Sequence, residues 1–152
     1  MAEPFHATRR VEFGDTDMAG IMHFAKFFNY MEEVEHEFLR SRGLSVVMMH
    51  EGKRIGWPRV SAGCDFAKPV RFEDVVDIYV TLTKIGAKAL TYSFEFKVRG
   101  QVVATGELST CCCLVSPEGI KSIPLPAVLR AKLESPQPGP HLASPDVGER
   151  GA

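Results

Sequence analysis

No run in the sequence approaches the roughly 20 apolar residues of a membrane span, and its start, MAEPFHATRR, lacks the basic and then apolar order of a secretory signal. No membrane anchor and a cytoplasmic location are therefore expected. Neither sign of charge dominates: 18 Lys and Arg face 19 Asp and Glu, a formal net charge of -1. Such a balance gives no global pull toward nucleic acid or acidic lipid, so neither is expected as a partner and any anionic ligand needs a local site. The four cysteines, Cys64 and the adjacent Cys111, Cys112 and Cys113, form no CxxC and no spaced Cys/His set. They read as small core or half-buried residues alternating across a strand. GxSxG, GxxxxGK[ST] and GxGxxG are all absent, which removes the serine-hydrolase elbow, the phosphate loop and the dinucleotide turn. HEFLR, residues 36–40, approaches HExxH but has Arg40 where a second histidine is required, so neither a metal nor a cofactor is expected.

What is present fits one globular domain: 152 residues, 45% apolar and 24% charged. Residues 6–14 read as a first strand ended by Gly14. From Phe24 the period changes, and Phe24, Phe27, Phe28, Met31, Val34 and Phe38 follow helical spacing up to the stop at Gly43. Glu32, Glu33, Glu35 and Glu37 read as a solvated helix face. A short helical turn is expected near 45–51. Beyond GKRIGWP the period is two: a strand over 59–70, then Val76, Ile78, Val80 and Leu82 alternating with Asp77, Tyr79, Thr81 and Thr83, then Leu90 to Val98, a hairpin turn at Arg99 and Gly100, and a long strand over 101–115. A brief extended piece closes the domain, expected over residues 1–133. Residues 134–152, rich in proline and glycine, are expected to form a disordered tail. Strands in succession without helices between them pair antiparallel, which makes the fold class α+β. The sheet face turned from the helix is expected to keep apolar positions, and so to need a second copy.

The chemistry concentrates in GDTDMAGIMHF, where two carboxylates precede an apolar helix. A carboxylate in a turn can activate water, and unpaired amides at a helix start can hold a developing oxyanion. Gly20 permits the sharp loop that brings the two tools to one volume. An Asx-type turn that merely starts the helix is the alternative for the DTD pair.

The segment GDTDMAGIMHFAKFFNYMEEVE resembles the D-x-D-x-x-G signature of the 4-hydroxybenzoyl-CoA thioesterase family of hotdog-fold acyl-CoA thioesterases. FAKPVRFEDVVDIYV is similar to that family's F-x-x-P-x-x-x-x-D segment. The resemblance covers about residues 8–125 and implies an antiparallel sheet of about five strands wrapped round one long helix. It implies hydrolysis of an acyl-CoA, with Asp17 as general base or nucleophile and the amide of Phe24, or of its neighbour His23, as oxyanion donor. Asp15 is then the structural partner. His23 is a candidate general acid but reads better as pocket lining, and Phe24 stands where the reference enzyme has tyrosine, so no hydroxyl is available there. Gly20, Trp57, Pro58 and Ser61 are candidate substrate contacts, the last three from a neighbouring subunit in a homodimer or homotetramer. Arg59, Lys68, Arg71, Lys84, Lys88 and Lys121 are candidate partners for CoA phosphates. The rivals are a thioesterase for an acyl-carrier protein or an aromatic CoA ester, and a non-catalytic acyl-binding module on the same fold.

Overall fold

A computed structural model describes residues 3–135. Five strands form an antiparallel sheet in the order β1-β5-β6-β7-β4, where β1 is Phe5–Arg10, β4 Arg59–Phe66, β5 Val75–Ile85, β6 Ala89–Val98 and β7 Gln101–Cys111. Between β1 and β4 in sequence lies α1, Phe24–Ser41, whose 18 residues span about 27 Å at ~1.5 Å each. That is close to the length of a ten-residue strand, and α1 packs along one face of the sheet. A smaller sheet, β2-β3-β8-β9, joins Met48–His50, Lys53–Gly56, Cys113–Ser116 and Gly119–Ser122. α2, Ala127–Glu134, ends the described chain. This is the hotdog architecture that the resemblance implied.

The alternation read in the sequence decides which residues meet the helix. Val76, Ile78 and Val80 of β5 and Leu90, Tyr92, Phe94, Phe96 and Val98 of β6 are all buried, against Phe27, Tyr30, Met31, Val34 and Phe38 of α1. Edge-to-face rings lock the layers, with centroids 5.3 Å apart for Phe27 and Phe96 and 5.9 Å for Phe38 and Tyr92. Gly106 of β7 sits under the helix, where a Cβ would lie 2.4 Å from Met31 Sδ. A side chain there would hold α1 off the sheet.

Several expectations change. β1 ends at Arg10, because residues 13–15 tighten into a 3-10 turn rather than continuing to Gly14. Residues 48–50 form a strand and not a helical turn, since β3 supplies hydrogen-bonding partners for them. β4 stops at Phe66, four residues before the expected end. The long strand over 101–115 is broken at Cys112, whose amide turns to the carbonyl of Lys88 at 2.7 Å. Cys111 is half-buried, Cys112 and Cys113 are buried, and all four cysteines are free thiols. The brief extended piece is present as β9, and helix α2 follows it, an element not expected from the sequence, burying Leu129 and Leu133 one turn apart. Among the described residues the sheet face turned from α1 is not apolar: it carries Asp77, Tyr79 and Thr81 opposite Lys97, Glu95 and Ser93. The expected tail lies outside the described residues except for Glu134, the end of α2, and Ser135.

Candidate active site

The loop between β1 and α1 is fastened before it reaches the helix. Val11 donates to the carbonyl of Asp74 at 2.9 Å and accepts from the amide of Glu73 at 2.9 Å, which ties the end of β1 to the β4–β5 connection. Glu12 then caps the 3-10 turn, its amide donating to Asp15 Oδ2 at 3.0 Å. After Asp15 the chain folds back on itself. Asp17 donates to Ile21 at 2.9 Å, His23 donates to the carbonyl of Asp15 at 2.8 Å, and Thr16 bridges Met22 between them. Met22 also donates to Val70 at 2.6 Å. The turn at the tip closes through the Gly20 amide and the Asp17 carbonyl at 2.9 Å, with Gly20 at φ 75°, a conformation that costs glycine least. This short ladder carries Asp17 at one end and delivers the chain to Phe24 at the other.

Asp15 and Asp17 have different surroundings. Asp15 Oδ2 accepts both the Glu12 amide and the Tyr30 hydroxyl, the latter at 2.7 Å, and Lys26 Nζ lies 3.9 Å from Oδ1. Asp17 is exposed and uses only Oδ1 locally, accepting from the Ala19 amide at 2.8 Å. The Asx-type turn is therefore real, and it leaves Asp17 Oδ2 without a hydrogen bond among the described residues.

The start of α1 resolves which amide is available. The His23 amide is spent on Asp15, so it cannot serve as the donor. His23 caps the helix, Nδ1 accepting from the Ala25 amide at 3.2 Å, and its carbonyl takes the Lys26 amide at 2.9 Å. The proton of a neutral His23 ring is thereby placed on Nε2. His23 is a cap rather than only pocket lining. Among the described residues the Phe24 amide, the first of the helix, makes no hydrogen bond. No acidic side chain occupies the first turn, so the positive end of the helix dipole is uncompensated beside that free amide. The Phe24 ring leans on His23 with centroids 4.7 Å apart and remains 61% exposed. Met18 on the loop and the edge-to-face pair Phe13 and Phe72 are exposed as well.

Chemically, the arrangement offers a free Asp17 carboxylate oxygen and a free Phe24 amide on a loop held by its own ladder. It has an acceptor for a proton, or a nucleophile, and a donor for an oxyanion.

The remaining sequence candidates lie elsewhere. Trp57 is buried at the entry to β4, Pro58 is half-buried with its carbonyl accepting the Cys111 amide at 3.0 Å, and Ser61 is exposed on β4 beside a bulge. None of the three hydrogen-bonds to the loop within one chain. Of the candidate phosphate partners, Arg59 is committed to Glu35 at 2.5 Å, and Lys68 donates to Gln101 at 2.8 Å. Two surface hollows, of about 650 and 540 Å³, lie on the outer sheet face around His6 and Tyr79 and between β1 and α1, and Asp17 lines neither.

Glu35 is the residue the sequence reading misplaced. It is only 1% exposed, beneath α1, with Arg59 Nη1 at 2.5 Å and Glu32 reaching the same guanidinium at 3.6 Å. Burial pushes its carboxyl above the ordinary carboxylate range, the pull of Arg59 notwithstanding. Its spacing held the signal: four residues past Met31 and three before Phe38, Glu35 lies on the apolar stripe.

Comparison with known proteins shows the family and the fold. A family model described as the thioesterase-like superfamily matches residues 11–133. A protein of Aquifex aeolicus named as an esterase is 34% identical over 122 residues, covering 80% of this chain and 92% of its own. The crystal structure of a 1,4-dihydroxy-2-naphthoyl-CoA thioesterase from Synechocystis superposes with a TM-score of 0.76 at 26% identity, over 86% of this chain and 95% of that one. A gentisyl-coenzyme A thioesterase superposes with a TM-score of 0.74 at 30% identity, over 83% and 99%. The sheet wrapped along one helix is the fold of these neighbours, and the family model spans most of the sequence: the chain belongs to the thioesterase-like superfamily of hotdog proteins.

Proposed function

We propose that the protein hydrolyses an acyl-CoA thioester to a free acid and CoA, with Asp17 as general base or nucleophile and the Phe24 amide as oxyanion donor. The observation that carries this reading is an uncommitted Asp17 oxygen on the same short ladder that leads to the uncommitted amide of Phe24. In the step, Asp17 Oδ2 takes a proton from a water whose oxygen attacks the carbonyl carbon, or attacks that carbon itself to give an acyl-aspartyl anhydride that a water then hydrolyses to the free acid and the Asp17 carboxylate. The C–S bond breaks after the tetrahedral oxyanion has been held at the Phe24 amide, and the thiolate leaves as CoA. Relatives named for naphthoyl and gentisyl thioesters favour an aromatic acyl group over an alkyl one, and the exposed rings of Phe13, Phe24 and Phe72 supply aromatic surface beside the loop.

The working form in this reading is a homodimer. β4 is an edge strand, with exposed Val60 and Phe66 and an outer edge that pairs with no strand among the described residues. Pairing of two such edges covers them and brings Trp57, Pro58 and Ser61 of one copy toward the loop of the other. A tetramer would need the polar outer sheet face or the helices as its second interface.

The test is thiol release from acetyl-, hexanoyl-, palmitoyl- and 4-hydroxybenzoyl-CoA by the purified protein, with Asp17→Asn alongside. Asp17→Asn is expected to lower turnover by about a hundredfold or more. Equal turnover in that variant on every substrate that the wild type cleaves would sink the assignment, and binding of all four without thiol release would favour the acyl-binding module.

A further inference from the structure

Tyr30 lies on the buried face of α1, and its hydroxyl donates to Asp15 Oδ2 at 2.7 Å. The same oxygen takes the Glu12 amide at 3.0 Å, while the Asp15 carbonyl takes the His23 amide at 2.8 Å. Asp15 is thus fixed three ways: its carboxylate to the middle of the helix and to the start of the 3-10 turn, its backbone to the residue that precedes the oxyanion donor. Asp17 follows two residues later on the ladder that Asp15 begins. The loop is bolted to the β4–β5 connection by Met22 and Val70 at 2.6 Å, but among the described residues its side-chain tie to the helix body is this one, helped only by Lys26 at 3.9 Å. Burial and the neighbouring Asp15 charge push the Tyr30 phenol upward, so it stays protonated and donates across the working pH range.

We propose that Tyr30 is a positioning residue for the hydrolysis: acting through Asp15, its hydroxyl sets the placement of the Asp17 carboxylate relative to the Phe24 amide. The proposal rests on the reading of Asp17 and Phe24 given above. Tyr30 touches no substrate. Its effect is geometric, and reacting groups misplaced by about 1 Å lose up to about a hundredfold in rate. A satisfied core tyrosine with no such role would change stability when altered and leave turnover per folded molecule alone.

The experiment compares Tyr30→Phe, Asp15→Ala, Asp15→Asn, the double variant Tyr30→Phe/Asp15→Ala and Asp17→Asn, using whichever of the four acyl-CoA esters the wild type cleaves fastest. Tyr30→Phe is expected to lower kcat about tenfold with KM within about twofold, since binding surface is untouched. Asp15→Ala is expected to lose at least as much, and the double variant no more than Asp15→Ala, because the two residues act as one unit. Both bonds converge on one oxygen, so Asp15→Asn keeps an acceptor and recovers most of the loss seen in Asp15→Ala. A kcat for Tyr30→Phe within twofold of wild type while Asp17→Asn is inactive overturns the proposal and leaves the Asp17 reading standing. Full turnover in Asp17→Asn overturns that reading and this proposal with it.

Discussion

A backbone amide is hard to delete, but the geometry at Phe24 allows it. Phe24 is the first residue of α1, and proline is favoured at that position because its fixed φ suits a helix start and its missing N–H costs no helical bond. His23 has φ -64° and ψ 135°, the extended backbone that a following proline demands. The Phe24 amide makes no hydrogen bond among the described residues, so Phe24→Pro breaks no native contact of the main chain. Its structural cost is the ring contact with His23, about 0.5–1.5 kcal/mol at most. Its catalytic cost is the oxyanion donor, about 2.7–4 kcal/mol, or roughly 10²–10³ in kcat. Phe24→Ala is the matched control, because it loses the same ring and keeps the amide. Measured by thiol release at saturating acyl-CoA, Phe24→Pro should fall about a hundredfold or more below Phe24→Ala, with thermal midpoints close together. Turnover of the two variants within threefold of each other would refute the assignment of the donor.

The buried pair of Glu35 and Arg59 gives a stability prediction with a pH signature. Arg59→Met strands a carboxylate under the helix and should cost about 3–5 kcal/mol at pH 8, whereas Glu35→Met/Arg59→Met should recover most of that. Glu35 has its folded pKa raised, so its favourable contribution is complete below the ordinary carboxylate value and is lost as pH rises through the folded one. The Arg59→Met deficit should accordingly shrink toward pH 5. Thermal midpoints at pH 5 and 8 check this, and a double variant as unstable as Arg59→Met would contradict it. Gly106→Ala should lower the urea midpoint by the equivalent of about 1–3 kcal/mol, because the new methyl meets Met31 2.4 Å away, and an unchanged midpoint would show that α1 yields freely there.

The long helix, the paired strands and the loop that joins them were legible because each is written in local spacing: Phe27, Met31, Val34 and Phe38 at helical intervals, Leu90 to Val98 at every second residue. Asp15 and Asp17 could be told apart only by resemblance, since their difference lies in Tyr30 and Ala19, contacts that no period encodes. His23 as a cap depends on a rotamer that accepts from Ala25. Glu35 was read by its charge rather than by its position on the stripe, and its partner Arg59 is 24 residues away across the fold. α2 was missed although Leu129 and Leu133 stand one turn apart after Pro126. The break at Cys112 was invisible, as its cause is the Lys88 carbonyl on a neighbouring turn.

The exposure of the Phe24 ring above its free amide separates two kinds of change. The amide belongs to the main chain and survives nearly any substitution at position 24, while Met18 on the same loop is fully open to solvent. In the proposed reading, a library randomised at these two positions would vary the surface beside the thioester while every member except proline at 24 keeps the donor amide. On that reading substrate choice can drift by single steps without loss of the oxyanion donor.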